Sequence, residues 1–159
     1  PPPPPPPPPR DSIRRQRQMC IRDRGEKVHQ AGFTLAFDNQ ATRPFKFDPE
    51  IMMLILTNLI DNSLKFGKRE ALKTITVKSW QEEASTFLSV SDTGPGIPRK
   101  ALKKVFNDFY RVEGALTQTT RGTGIGLALV RKFTRLMNGT VRARNNDGPG
   151  CTITISLSD

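Results

Sequence analysis

Apolar and polar residues alternate in several short stretches, a period of two that is typical of half-buried strands. Two of these stretches flank the polar turn Gln81–Glu83, which predicts an antiparallel pair. Two more flank the turn Asn145–Gly150 and predict a closing hairpin. The predicted strands are, in chain order, Phe33–Phe37, Phe45–Phe47, Thr74–Trp80, Thr86–Asp92, Thr140–Arg144 and Thr152–Leu157.

Two longer stretches have the signals of helices. Asp48-Pro49-Glu50 supplies a capping carboxylate, a proline in the first turn and a second acid, so the first helix should begin there. It should run to Phe66 and stop at a left-handed Gly67. The second helix should run from Gly124 to Met137 and end at Asn138-Gly139. Strands and helices in this mixture predict an α+β sandwich in which helices cover one face of a sheet.

Residues 1–30 differ in composition from the rest of the chain. Nine prolines open the sequence, and an arginine-rich run without apolar periodicity follows them, so this stretch should bury little. It has neither an initiator methionine nor an apolar run of signal-peptide length, which argues against a targeting segment. We expect a disordered tail that is not native, and a single domain over residues 31–159. A Pro-rich or basic recognition segment is the alternative.

The net charge of +10 is spread over both parts of the chain. Residues 1–30 contain seven basic and three acidic residues, so the predicted domain contributes +6. Such a charge suits nucleic acid, a nucleoside triphosphate or an acidic protein, but aromatic residues do not alternate with the basic ones as a base-stacking surface requires. We therefore expect no nucleic-acid partner.

Cysteine and histidine usage is sparse. Cys20 and Cys151 make no disulfide framework, and His29 is the single histidine, so no Cys/His metal cluster is expected. A reduced, cytoplasmic setting fits this usage. The longest apolar run, Ile51–Leu56, is too short to span a bilayer, so any membrane anchor would belong to regions missing from this sequence.

The first predicted helix is apolar on most sides but has one polar stripe. Asn58, Asp61, Asn62 and Lys65 stand at helical spacing on one face. Asparagine oxygens are suitable ligands for Mg²⁺, and a lysine adds a compact positive charge for phosphates. The helix alone does not distinguish this role from a stripe that faces water.

A first glycine motif, DTGPG, follows directly from a predicted strand. The Asp92 carboxylate can only accept hydrogen bonds when ionised, so it would select a base edge that donates, such as the adenine amino group. Gly94 and Gly96 would let the backbone approach a flat ligand. A tight turn with an aspartate cap is the alternative.

A second glycine motif, Arg121–Leu127, opens the second predicted helix. Exposed N–H groups at a helix N-terminus attract anions, although a helix start with packing glycines explains the motif equally well. Between the two motifs lie the aromatic residues Phe106, Phe109 and Tyr110. They could form a lid over a nucleotide, or they could be ordinary core anchors under a long loop.

Together, the motifs NLIDNSLKF, DTGPGI, VFNDFYR and RGTGIGLALV resemble, in order and spacing, the four boxes of the sensor histidine kinase catalytic domain. That domain belongs to an ATPase group shared with DNA gyrase, mismatch-repair ATPases and large heat-shock chaperones. The resemblance covers residues 31–159. It implies a Bergerat-type fold, a two-layer α/β sandwich whose mixed sheet is covered on one face by about three helices. It also implies that ATP and Mg²⁺ are the cofactors.

The resemblance assigns roles to individual residues. Asn62 matches the magnesium ligand and Asn58 the phosphate end of the site, while Asp92 matches the aspartate that reads adenine. The other nucleotide-binding positions that it implies are Lys65, Phe66, Gly94, Gly96, Ile97, Phe109, Arg121, Gly122, Thr123, Gly124, Gly126 and Leu127.

Some positions depart from the family pattern. Ser63 replaces the usual alanine and Asn107-Asp108 stands where a proline-containing pair is common, and we expect neither to touch the chemistry. Asn58 stands where the ATPase branch has a glutamate that activates water. An amide cannot act as that base, which favours phosphate transfer over hydrolysis.

The phosphoacceptor itself is absent. His29 lacks the acidic neighbour and the downstream proline of the family's histidine box. The resemblance therefore implies a protein-histidine kinase fragment that is inactive in autophosphorylation. Its expected partners are the histidine-bearing dimerisation domain of the same kinase and a response regulator receiver domain. A degenerate nucleotide-binding module and an anti-sigma-type serine kinase are the alternatives.

Overall fold

The structure, a computed structural model, describes residue 3, residues 24–112 and residues 124–158. Five strands form one sheet in the order β1-β2-β3-β5-β4, with β1 and β2 parallel and the other pairs antiparallel. This mixed sheet confirms the predicted α+β sandwich. Its elements are β1 (Thr34–Asn39), α1 (Pro49–Phe66), β2 (Thr74–Glu82), β3 (Ser85–Asp92), a 3₁₀ turn (Arg99–Ala101), α2 (Gly126–Leu136), β4 (Thr140–Asn145) and β5 (Cys151–Ser158), with a further helical segment at residues 24–30.

Helix α1 begins where the capping signal predicts. One Asp48 carboxylate oxygen accepts the backbone N–H groups of Glu50 at 2.8 Å and Ile51 at 3.1 Å. The helix ends at Phe66 as expected, but the left-handed stop is wrong, because Gly67 has φ −85°. A side chain there would lie 3.0 Å from the Phe33 ring, so this glycine serves close packing rather than chain reversal.

The core lies between the sheet and helices α1 and α2, which pack against each other. Most apolar side chains of helix α1 lie in this core. Truncating a fully buried one, such as Ile55 to alanine, would lower the free energy of unfolding by about 2–5 kcal/mol. Although α1 is strongly apolar, no helix within the described ranges is long and apolar enough to cross a bilayer.

Tertiary packing changes several predicted strand details. Phe45 and Phe47 form no strand; their rings stack with centroids 5.1 Å apart. Phe37 lies in β1 but is exposed. The pairing of β2 with β3 continues through Gln81 to Glu82, so the predicted three-residue turn is two residues long and begins at Glu83, which has φ 50°.

The helical segment 24–30 packs against the domain. Val28 is only 1% exposed and belongs to the core. Arg24 donates to both carboxylate oxygens of Asp61, at 2.7 and 2.8 Å, and Lys27 lies 3.0 Å from the same carboxylate. The packed part of the chain therefore includes residues before the predicted boundary at residue 31. Whether residues 1–30 are native stays a prediction.

Candidate nucleotide-binding site

Asp92 is the last residue of β3, two positions after buried Val90, so both side chains lie on the helix-covered face of the sheet. One oxygen, Oδ1, accepts the Gly94 N–H at 2.9 Å, and Oδ2 accepts the Ser63 hydroxyl at 3.0 Å. Ser63, which departs from the family pattern, therefore contacts the candidate base-reading residue, and the expectation that it does not touch the chemistry stays a prediction. A residue of α1 and the first glycine motif both hold the carboxylate.

The β4–β5 hairpin contacts Asp92 from the other side. The Cys151 N–H lies 3.4 Å from Oδ1 and its Sγ lies 3.6 Å from Oδ2, while the Asn146 amide donates to the Asp92 carbonyl at 2.9 Å. Burial, then the Asp92 charge and hydrogen bond, raise the pKa of the Cys151 thiol to about 12. The thiol is therefore protonated at neutral pH and can act only as a weak donor to the carboxylate.

Gly150 allows this hairpin to approach β3. It has φ +92°, and an added Cβ would lie 1.8 Å from the Asp92 carbonyl oxygen. No other residue type fits there without moving the backbone. The sequence places Gly150 in a turn, but no local pattern connects it with Asp92.

Ile97, the residue after the first glycine motif, is held on both backbone groups by one asparagine side chain. Asn145 Oδ1 accepts the Ile97 N–H at 2.8 Å, and its amide nitrogen donates to the Ile97 carbonyl at 2.6 Å. Gly96 adopts φ +76°, which this tight turn requires. The turn after Asp92 is thus anchored to β4, a contact that no local sequence signal indicates.

The polar stripe of α1 divides into two parts. The Asn58 amide nitrogen donates to the Leu54 carbonyl at 2.8 Å, and its oxygen lies 3.5 Å from where a Cβ on Gly126 would be. The Asn62 side chain is half-buried and has no hydrogen-bond partner among the described residues. Asp61, in contrast, belongs to the fold, since it pairs with the segment 24–30.

Helix α2 presents its N-terminus to this stripe. It begins at Gly126, two residues later than predicted, and the preceding residue offers no capping side chain. Among the described residues, no side chain caps the N–H groups of its first turn, which includes half-buried Leu127. Arg121, Gly122 and Thr123, which the sequence also assigns to this end, lie outside the described residues.

The electrostatic environment of Lys65, near the C-terminal end of α1, includes a second cation. Burial, followed by the positive charge of Arg111, lowers the pKa of the Lys65 ammonium. The Lys65 Nζ also lies 4.9 Å from the centroid of the Phe66 ring. Arg111 was missed at the sequence level, although it ends the VFNDFYR motif. Neighbouring cations of this kind favour an anionic ligand.

The aromatic segment is part core and part surface. Phe106 is 5% exposed and anchors the core, whereas Phe109 is 73% exposed and has φ 60°, an uncommon conformation for a bulky residue. The core-anchor reading is thus correct for Phe106 and wrong for Phe109. Gly124, at φ +71°, lies directly against this segment: its Cβ would come within 2.8 Å of the Phe109 backbone.

Asn107 and Asp108, two of the residues that depart from the family pattern, attach this segment to α2. Arg131 donates to the Asn107 side chain at 3.2 Å, and Lys132 lies 3.1 Å from the Asp108 carboxylate. Both contacts are at the surface, so each contributes little to stability. They orient the start of the segment and touch none of the candidate ligand groups.

The site contains amide oxygens that could bind a metal ion and positive groups that could bind phosphates. No group of three His, Cys, Asp or Glu side chains that could hold a metal occurs within residues 24–112 and 124–158. The amide oxygens of Asn58 and Asn62 fit a hard cation that keeps waters and phosphate oxygens as its other ligands. The N–H groups at the start of α2 and the ammonium of Lys65 fit the phosphates themselves.

The comparisons with known proteins agree with this geometry. A family described as "Histidine kinase-, DNA gyrase B-, and HSP90-like ATPase" matches residues 47–159. The sensor histidine kinase WalK of Bacillus subtilis is 37% identical over 112 residues, which are 70% of this chain and 18% of that protein. The sensor protein RprX of Bacteroides fragilis is 34% identical over 132 residues, or 82% of this chain and 25% of that protein.

Among solved structures, full-length ShkA in complex with AMPPNP has a TM-score of 0.71 at 23% identity, over 88% of this chain and 28% of that chain. This likeness supports the fold. The chain spans about a fifth to a quarter of the length of WalK and RprX. It belongs to the histidine kinase-, DNA gyrase B- and HSP90-like ATPase family, and its relatives include a sensor histidine kinase, WalK, and a sensor protein, RprX.

Proposed function

We propose that this chain binds Mg-ATP and presents the γ-phosphate to a histidine on a separate dimerisation domain, as the catalytic domain of a two-component sensor histidine kinase. One observation carries the proposal: Asn58 of the α1 stripe lies against the first residue of α2, while Ser63 of the same helix holds Asp92. One helix thus connects the acceptor for a base to the donors for phosphates.

The phosphate end would be formed by α1 and α2. Asn62 would bind Mg²⁺ through its amide oxygen, and the metal would neutralise phosphate charge. Asn58 would face the same phosphates, and Lys65 would add a positive charge near them. Support comes from the Asn62 amide, which has no partner among the described residues. Gly124, Gly126 and Leu127, with Arg121, Gly122 and Thr123 beyond the described ranges, would complete this end.

The base end would be formed by Asp92 and the turn that follows it. Asp92 would accept a hydrogen bond from the adenine amino group, which guanine lacks at that position. Gly94, Gly96 and Ile97 would line the plane of the base, and Phe66 and Phe109 would cover the nucleotide. The exposure of both phenylalanine rings supports a role in ligand contact.

Phosphate transfer is favoured over hydrolysis by Asn58. Its amide nitrogen is bound to a carbonyl of its own helix, so its oxygen faces Gly126. An amide does not take a proton from water near neutral pH, so it would help to position the phosphates without activating a nucleophile. Catalysis would then depend on positioning and electrostatics.

The partners in this proposal are a dimerisation domain of the same kinase and a response regulator receiver domain, in the cytoplasm. To test it, this chain would be fused to the dimerisation domain of a sensor histidine kinase relative and incubated with Mg-ATP. We expect phosphohistidine on the fusion, none on the isolated chain, and none on an Asn62→Ala fusion. ATP binding without phosphohistidine in a correctly dimerised fusion would indicate a degenerate binding module instead.

A further inference from the structure

Ser63 is a buried serine in the interior of a helix. It lies within α1 and is only 6% exposed. A serine inside a helix commonly donates to the carbonyl four residues earlier. Here the hydroxyl lies 3.0 Å from Asp92 Oδ2, on a different element of the fold. Its hydrogen bond is therefore a tertiary contact between α1 and the end of β3.

The direction of this hydrogen bond is set by chemistry. An ionised carboxylate accepts hydrogen bonds and cannot donate, so Ser63 must be the donor. The Gly94 N–H donates a hydrogen bond to the other oxygen, Oδ1. Because each carboxylate oxygen accepts a hydrogen bond from a different element, rotation of the carboxylate about the Cβ–Cγ bond would break one or both of these bonds.

Cys151 cannot replace this donor. Its sulfur lies 3.6 Å from the same Oδ2 atom, and a thiol is a much weaker donor than a hydroxyl. Among the described contacts to Oδ2, Ser63 therefore supplies the strong one. Removing it would leave that oxygen with the thiol alone and free the carboxylate to rotate.

We propose that Ser63 is a positioning residue for base recognition: its hydroxyl fixes the Asp92 carboxylate so that a remaining lone pair faces the exocyclic amino group of a bound purine. This inference rests on the proposed function, because it requires that Asp92 reads the base. It adds a residue of α1 to the determinants of nucleotide selectivity. Ser63 would act through Asp92 without touching the base.

The proposal is tested by pairing protein variants with two nucleotides. Calorimetric titration would measure the affinity of the full chain and its variants for Mg-ATP and for purine riboside triphosphate, which lacks the amino group. We expect Ser63→Ala to weaken ATP binding about 10-fold, the effect of one hydrogen bond to a charged group. Binding of the purine analogue should change less than about two-fold, because it makes no contact that the carboxylate orientation controls.

Two further variants complete the design. Ser63→Cys keeps the size of the side chain but weakens the donor, so it should show a smaller loss confined to ATP. It also covers the case in which Ser63→Ala does not fold. Ser89→Ala removes an equally buried hydroxyl (6% exposed) from β3, and it should leave both affinities unchanged.

The outcomes separate this inference from the proposed function. If Ser63→Ala lowers the affinity for both nucleotides equally, Ser63 has only a structural role. If it leaves the ATP affinity unchanged, Ser63 has no role in binding. Either result overturns this inference and leaves the proposed function standing. Wild-type chain that binds neither nucleotide overturns the proposed function, and the inference with it.

Discussion

The two ends of the candidate site differ in how many partners their side chains already have. At the base end, Asp92 is held by Ser63, by the first glycine motif and by the β4–β5 hairpin. At the phosphate end, the described residues provide neither a hydrogen-bond partner for Asn62 nor a side-chain cap for the first turn of α2. One end is assembled by the fold, and the other offers polar groups that a ligand would satisfy.

This difference has a physical origin. A base is recognised by the fixed direction of a few hydrogen bonds, so its acceptor benefits from being oriented before the ligand arrives. A triphosphate carries much of its own charge and brings a metal with waters, so the protein needs to supply only a few oxygens and positive groups. Substitutions at the base end should therefore affect stability or selectivity, and those at the phosphate end should affect affinity.

The largest effect is expected from Gly150→Ala, which attacks the framework of the base end. The new Cβ would overlap the Asp92 carbonyl, and the φ of +92° is unfavourable for alanine. We expect a loss of about 3 kcal/mol in the free energy of unfolding, measured by urea titration followed by circular dichroism. Gly148→Ala, where a Cβ meets nothing within 4 Å, is the control and should change stability little. Equal stability of the two variants would contradict this account of the hairpin.

Asn62→Ala should separate affinity from stability at the phosphate end. We expect Mg-ATP affinity to fall about 100-fold, equivalent to about 2.7 kcal/mol, because the magnesium loses its protein ligand. Unfolding should be unchanged, since the amide has no hydrogen bond to lose among the described residues. Calorimetric titration measures the first quantity, with Asn39→Ala as a distant control. Normal Mg-ATP affinity in Asn62→Ala would remove the metal site from the proposal.

Asp92→Asn should change selectivity at the base end. One acceptor oxygen becomes a donor, so we expect the preference for ATP over GTP to fall about 10-fold, equivalent to about 1.4 kcal/mol. Competition binding with both nucleotides would measure it. Asp147→Asn removes an exposed carboxylate from the neighbouring hairpin and should leave the preference intact. A preference retained by Asp92→Asn would show that another group reads the base.

The smallest effect concerns Cys151. Its thiol pKa is raised to about 12 in the folded chain from an ordinary value of 9.0, so the unfolded chain ionises first as the pH rises. The stability due to this shift is present below pH 9 and is lost as the pH approaches 12. Between pH 8 and pH 10, the wild-type chain should lose about 1 kcal/mol relative to Cys151→Ser, measured by urea titration at each pH. Parallel curves for the two chains would mean that the thiol is not shielded.

Local patterns in the sequence were enough for most of the secondary structure. The cap at Asp48 and the alternation before Asp92 depend on atoms a few residues apart, so they can be recognised without knowing the fold. Phe45 and Phe47 also alternate, but no strand among the described residues pairs with their backbone, and their rings stack on each other instead. Alternation indicates which face of a strand is apolar but cannot show that a partner strand exists.

The sequence by itself determined which residues carry the candidate chemistry: the amides of α1, the carboxylate that ends β3 and the glycines before α2. Only the tertiary structure decided what holds them. The contacts of Ser63 and Cys151 with Asp92 join residues 29 and 59 positions apart, and the charge of Arg111 lowers the pKa of Lys65 from a different part of the chain. Such pairs leave no periodic signal, because their distance is set by how helices and hairpin pack on the sheet and not by their spacing along the chain.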